Sequence, residues 1–251
     1  MTLEILPIRT GGAAENMALD FLMLQRYPSS PGLRRAGPRA AAPRFRHYGW
    51  RGPAFTFGYA QKIAAVRAVL PPEITLDLCR RPTGGGVVDH RHDWTYALVI
   101  PRGHPLEEVR ATQSYRAVHE GLAAALQTQG MPAVVKPAAE AAAGEPAEVS
   151  AQAGVCFQRA EVFDVVHGRS GEKIAGAAQK RNKYGLLFQG SIWRPAVGRP
   201  VDWDKFQADF TAQLAAALGV AAEPVPWPDL NEDEVSGLTE QYSTPEWLGY
   251  R

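Results

Sequence analysis

The feature that most constrains this chain is the run Arg80-Arg81-Pro82-Thr83-Gly84-Gly85-Gly86-Val87-Val88-Asp89-His90. It follows an apolar stretch, Ile74 to Cys79, that reads as a buried strand. Val87 and Val88 return the chain to extended structure. Asp93 to Ile100 is then rich in aromatic and β-branched residues, which predicts a further strand. Three glycines between strands permit φ > 0 and leave no Cβ over the main-chain N–H groups. With two arginines before them, they suit a carboxyl, thioester or phosphate group lying across a sheet. The structural alternative is a glycine-rich hairpin whose arginines face solvent. The run is no P-loop, because no Gly-Lys-Ser/Thr closes it, and no helix pattern follows to make a dinucleotide fingerprint.

A second segment bears on the same cleft. Glu161 to Val166 reads as a strand, and His167-Gly168-Arg169-Ser170-Gly171 has turn composition. Glu172 to Arg181 and Gly185 to Trp193 read as two more strands. Gly176, inside a strand pattern among small residues, signals a close approach to the backbone. Lys173, near the start of that strand, places an ammonium over the cleft; the alternative is an ordinary solvated lysine on a surface hairpin.

Helical periodicity appears over Ala14–Gln25, from Leu106 through Leu126 with Gly130 as C-cap, and over Asp202–Leu218 with Gly219 ending it. Asn231 and Glu234 look like a capping pair for a last helix. The expected fold class is α/β (α+β): a mixed, mainly antiparallel sheet flanked by helices, in one domain over residues 1–251. Residues 136–153, rich in Ala, Glu, Gly and Pro, are expected to form a mobile loop leading to Cys156.

These residues resemble a family. Arg80–His90, Lys173–Arg181 and Gln189-Gly190-Ser191-Ile192 are similar, in order and spacing, to motifs of the lipoate–protein ligase and octanoyltransferase superfamily, whose fold also serves biotin protein ligases. Glu15-Asn16-Met17-Ala18-Leu19-Asp20 resembles that family's first helix. Trp50 through Gln61 resembles its strand ending in Gly-x-x-Gln, and Tyr242 to Trp247 its closing tyrosine–tryptophan motif. The resemblance spans nearly the whole chain and implies a biotin/lipoate-ligase-type catalytic fold.

Within the family, ligases activate free lipoate with ATP and Mg as an acyl-adenylate. Transferases take an acyl thioester, pass it through an enzyme cysteine and need no cofactor. Of the two cysteines, Cys79 lies in an apolar run and reads as a packed core thiol. Cys156, in Gly154-Val155-Cys156-Phe157, resembles the acyl nucleophile of the cysteine-dependent octanoyltransferases, and Gly-Arg-Asn-Asp, typical of the ligases there, is missing. The structural alternative is a buried, inert cysteine. The resemblance implies Cys156 and Lys173 as catalytic, Lys173 supporting thiolate and oxyanion. It implies Arg81, Thr83, Gly84, Gly85, Gly86, His90, Gly176, Ala177, Ala178, Gln189 and Gly190 as substrate-binding. Gln189 stands where many members carry histidine, and it cannot act as an acid or base at neutral pH. For His90 the favoured reading is structural, ordering the loop by hydrogen bonding. The implied activity is transfer of an octanoyl or lipoyl group to a carrier-domain lysine. The alternatives are an ATP-dependent lipoate–protein ligase and a non-catalytic acyl- or carrier-binding member. The implied partners are acyl carrier protein and lipoyl carrier domains, either the glycine cleavage H protein or 2-oxoacid dehydrogenase E2 subunits.

Composition agrees. Hydrophobic residues make up 45% of 251, and a net charge of +1 demands no nucleic-acid partner. Arg34, Arg35, Arg39, Arg44 and Arg46 form a local basic stretch that reads as a solvated loop or a surface for an acidic carrier. No metal-ligand spacing, signal peptide or membrane span is evident, so a reduced cytoplasm is the expected location.

Overall fold

The structure, a computed structural model, describes residues 2–26, 42–71, 76–138 and 159–250. The strands among them are β1 (Thr2–Ile5), β2 (Arg9–Gly11), β3 (Arg44–Trp50), β4 (Ala54–Phe57), β5 (Asp77–Arg80), β6 (Val87–Asp89), β7 (Asp93–Pro101), β8 (Ala133–Val135), β9 (Val165–His167), β10 (Lys173–Asn182), β11 (Gly185–Trp193) and β12 (Ala221–Pro224). The large sheet runs β12-β1-β3-β7-β11-β10-β9-β8, with β2 also on β3. Every pair from β3 to β8 is antiparallel, and β12, β1 and β2 add parallel pairs at one side. A small sheet, β5-β4-β6, carries the glycine run between its outer strands, with α2 (Ile63–Val69) following β4 and the short α5 (Arg194–Val197) following β11.

Side chains alternate across a strand, so each strand of the large sheet feeds two layers. On one face Phe45, Trp94, Tyr96, Leu98, Phe188 and Ile192 pack against α4 (Ala111–Gln127) and α6 (Trp203–Leu218). The aromatics there meet edge to face, with Trp94 and Phe206 centroids 5.0 Å apart and Tyr96 and Phe210 5.2 Å apart. Burying each such side chain stabilises the fold by roughly 1.5–3 kcal/mol. The opposite face carries Arg46, Tyr48, Thr95, Gln189 and Ser191 and is covered by α1 (Ala13–Gln25) and the small sheet. This second face holds the site.

The glycine run is clamped. A Cβ on Gly58, just past β4, would lie 2.0 Å from the Gly85 carbonyl oxygen, so only glycine admits the loop here. Gly85 itself has φ +89°, which glycine alone takes without strain. Arg80 is fully buried and donates to the carbonyls of Tyr59, Gln61, Trp247 and Leu248 at 2.6–3.0 Å. Trp247 Nε1 donates back to the Arg80 carbonyl at 3.0 Å and its ring stacks on Tyr242 at 4.5 Å. The closing Tyr–Trp motif thus fastens the strand that leads into the glycines.

Three expectations are revised. The strand over Glu161–Val166 shrinks to β9, because Phe163 takes φ +68° and turns the chain. The helical pattern from Leu106 breaks into α3 (Pro105–Glu108) and α4, since Val109 and Arg110 are extended between them. Asn231 Oδ1 does cap α7 (Glu232–Ser243), accepting from the Asp233 and Glu234 amides, but the Glu234 carboxylate pairs with Arg26 instead of completing a box.

Candidate active site

Between the large sheet, α1 and the glycine loop lies a cavity with about 470 Å³ of empty space, part of it open to solvent. Met17 closes it from α1; Tyr48, Thr95, Gln189, Gly190 and Ser191 form its floor; Thr56, Arg81, Gly85, Val88 and His90 line the small-sheet side. Lys173, Gly176, Ala177 and Ala178 complete it from β10.

Lys173 is 6% exposed, and its Nζ lies 2.7 Å from Asp164 Oδ2. The same carboxylate is 1% exposed; Oδ1 accepts from the Tyr115 hydroxyl at 2.5 Å and Oδ2 from the Glu161 amide at 2.7 Å. Tyr115 in turn accepts from the Ala177 amide at 3.0 Å, linking α4, the Phe163 turn and β10. Burial, then the Asp164 charge, pushes the Tyr115 hydroxyl far above its ordinary range, so it acts as a donor and not as a base. The close approach expected at Gly176 is made by Lys173 itself, since an added Cβ would sit 2.8 Å from Cε and Nζ. The His119 Nδ1 bonds to the Phe163 carbonyl at 2.6 Å, steadying the left-handed turn from which Asp164 projects.

A second network centres on Gln189. Its Oε1 accepts from Thr83 at 2.7 Å, and its Nε2 donates to Asp20 Oδ2 at 2.7 Å. Asp20 also accepts from Arg46 Nε at 2.7 Å and from the Tyr48 hydroxyl at 3.1 Å; neither Asp20 nor Arg46 has exposed surface. Burial raises the Asp20 carboxyl, and Arg46 opposes that rise. Nε2 also donates to Met17 Sδ at 3.1 Å, so the amide at 189 strings the glycine loop to α1 with one accepted and two donated hydrogen bonds, and carries no titratable group.

The third network holds the loop's far side. His90 Nδ1 is 2.7 Å from Asp93 Oδ2, and Nε2 is 2.7 Å from the Thr56 hydroxyl, whose oxygen accepts from Arg81 at 2.9 Å. Ser191 and Thr95 also donate to Asp93 Oδ2. Trp50 stacks on His90 at 4.0 Å. Arg81 Nη2 reaches the Gly84 and Gly86 carbonyls at 2.7 and 2.9 Å, shaping the run from inside.

The structure thus brings together Arg81, Gly85, His90, Lys173, Gly176, Ala177, Ala178, Gln189 and Gly190 on one cavity. Thr83 joins them through Gln189, whereas Gly84 and Gly86 contribute carbonyls to Arg81 and do not line the cavity. The cationic rim is corrected: Arg80 and Arg81 are 0% and 4% exposed, and their guanidinium groups hold backbone carbonyls and Thr56. The basic stretch is corrected in part, because Arg46 is a buried partner of Asp20 and Arg44 pairs with Glu4; Arg34, Arg35 and Arg39 lie outside the described residues. Cys156 and residues 139–153 of the expected loop also lie outside them. Cys79 is buried, as expected, and burial raises its thiol far out of the physiological range.

Asp20 figures in the sequence only as the end of a helix motif, and Tyr48, Asp93, Tyr115 and Asp164 carry no site role there. The available signal was a carboxylate inside an apolar window, as at Leu19-Asp20-Phe21 and Phe163-Asp164-Val165, since such groups are rarely buried unless paired. Among the described residues no group of three or more His, Cys, Asp or Glu side chains is placed to hold a metal ion. No helix among them is long and apolar enough to cross a membrane.

Over residues 13–194 the sequence matches the lipoyl protein ligase A/B catalytic domain. The chain belongs to that family. It is 28% identical over 273 residues to octanoyltransferase LipM of Halalkalibacterium halodurans, an alignment covering 93% of this chain and 94% of that one. It is 32% identical over 181 residues to octanoyltransferase LipM of Geobacillus kaustophilus, covering 71% and 60% of the two chains. Among solved structures, lipoate-protein ligase A bound with ATP superposes with a TM-score of 0.68 at 19% identity over 98% of both chains. A bipartite lipoate protein ligase from Thermoplasma acidophilum gives 0.69 at 18% identity, covering 100% of this chain and 98% of that one. These likenesses establish the fold: a mixed, mainly antiparallel sheet with flanking helices.

Proposed function

We propose that the chain is an acyltransferase of protein lipoylation, carrying an octanoyl group from a thioester donor through Cys156 to the lysine of a carrier domain. The observation that carries the reading is the buried Lys173–Asp164 pair on the wall of a cavity mouthed by Gly85, in a chain whose relatives are named octanoyltransferases. The Cys156 thiolate attacks the thioester carbonyl carbon, and the carbonyl electron pair moves onto oxygen. As that pair returns, the donor's C–S bond breaks and the donor leaves as a thiol after taking a proton. The carrier amine then attacks the acyl-cysteine; the amine proton is lost, the amide forms and the Cys156 thiol is released. Exchange between thioesters is nearly balanced and the amide is downhill, so the sequence of steps requires neither ATP nor a cofactor. Lys173 supports the thiolate and opposes charge on the oxyanion. Gln189, Thr83 and Arg81 hold the glycine loop against α1, so its backbone is set before substrate arrives.

Octanoyl-acyl carrier protein is the donor on this reading, and the acceptors are lipoyl domains of the glycine cleavage H protein or of E2 subunits. The reaction belongs in the cytoplasm. Incubation with octanoyl-acyl carrier protein followed by intact mass spectrometry is expected to show one octanoyl adduct, lost in Cys156→Ala. Persistent labelling of that variant would remove Cys156 from the mechanism, and lipoate- and ATP-dependent pyrophosphate release that survives it would overturn the reading in favour of the ligase.

A further inference from the structure

The geometry assigns to Tyr48 the role of an end-stop that limits acyl-chain length, an inference that rests on the acyl-transfer reading above. Four residues on the cavity side lie in one row across the strands: Gly176 on β10 pairs with Ser191 on β11, Ser191 with Thr95 on β7, and Thr95 with Tyr48 on β3. Three strand spacings separate the ends of that row, about 14 Å. Lys173 lies against Gly176 at one end. The first three positions are a glycine, a serine and a threonine, so the floor is low; the fourth raises a phenol ring that is 1% exposed.

The middle of the row is prepared for an alkyl chain. Ser191 and Thr95 both spend their hydroxyl protons on Asp93, leaving no O–H donor from either directed at the trough. An acyl chain running from Lys173 over these positions meets the Tyr48 ring end on.

The ring is fixed, not a gate. Its hydroxyl donates to Asp20 at 3.1 Å, the Arg46 guanidinium lies 3.9 Å from its centroid, and Trp50 abuts it edge to face at 5.4 Å. Swinging it aside would disturb the fully buried Arg46–Asp20 pair and the Gln189 bond to the same carboxylate. The next residue in register is Arg9 on β2, an exposed side chain whose guanidinium lies 4.2 Å from the Trp227 ring centroid.

A stop of this kind discriminates by roughly 10- to 200-fold per excess methylene. The test measures adduct formation on wild type, Tyr48→Ala, Tyr48→Phe and Tyr48→Trp with acyl-carrier thioesters from six to sixteen carbons. Wild type is expected to show a sharp upper cut-off, which Tyr48→Phe keeps, Tyr48→Ala raises by at least two carbons and Tyr48→Trp lowers. Calorimetric titration with the free fatty acids of the same lengths reads the same cut-off without any transfer, and Tyr48→Leu serves if the alanine variant does not fold. An unshifted cut-off in the shortened variants overturns the stop. Absence of adducts at every length in wild type, with fatty-acid binding intact, overturns the transfer reading and leaves the stop to be judged on binding alone.

Discussion

The two faces of the large sheet are made from the same strands, yet they obey different rules. Leu98, Tyr96 and Trp94 on β7 point into an aromatic layer held by dispersion and burial. Between them, Ala97 and Thr95 point to the face that holds the Gln189 and His90 networks. The first face is packed almost wholly by apolar side chains; the second sets an apolar cluster under α1, with Ala97, Val99 and Leu187, beside polar groups that stabilise one another. Removing a methyl from the first leaves a cavity, whereas removing one partner from the second leaves an uncompensated charge or donor. The period of two residues thus puts the aromatic layer on one face and the cavity on the other.

The largest effect is expected where the faces meet function. Lys173→Ala should reduce acyl transfer at least ~100-fold, from loss of a preorganised charge. It should also lower stability by roughly 3–5 kcal/mol, because Asp164 is left buried and unpaired. Pairing Lys173→Met with Asp164→Asn should restore the urea midpoint but not turnover. Near-wild-type single-turnover rates in Lys173→Ala would move the site elsewhere.

On the aromatic face, Phe210→Ala should cost roughly 3–5 kcal/mol of stability. Transfer per folded molecule should stay within twofold, since Phe210 packs on the aromatic face and does not line the cavity. A tenfold loss of rate at a temperature where the variant is folded would show that the faces are coupled.

The smallest effect is a pH dependence seated on the aromatic side. His119 is fully buried, and burial lowers it to about 4 from an ordinary 6.5. The unfolded chain takes up a proton near pH 6.5 that the folded chain refuses until about pH 4. Stability is therefore complete above that window and falls as pH drops through it, by on the order of 3 kcal/mol. His119→Gln, which retains a donor for the Phe163 carbonyl, should flatten the dependence of the urea midpoint between pH 7 and pH 4.5. An unchanged slope would assign the titration to other groups.

Legibility from sequence followed the same division. Helices α1 and α6 and strands β7, β10 and β11 were readable because their periodicity reflects burial on a face. The glycine run, Lys173 and Gln189 were readable as motifs. What was not readable depended on partners distant in sequence. Arg46 looked like one more arginine in a basic stretch, because Asp20 lies 26 residues away. The end of the strand at Phe163 was hidden as well, since a left-handed phenylalanine has no local signal and is maintained by His119, 44 residues earlier.

The burial of Cys79 has a practical corollary. The chain has two sulfhydryls. One is sealed beneath Tyr242 and Arg80, its S–H facing their carbonyls. With its acidity suppressed by burial, it presents almost no thiolate to an electrophile. Maleimides, iodoacetamide or an activated disulfide are therefore expected to leave Cys79 of the folded protein unlabelled, which peptide mapping of the treated protein checks.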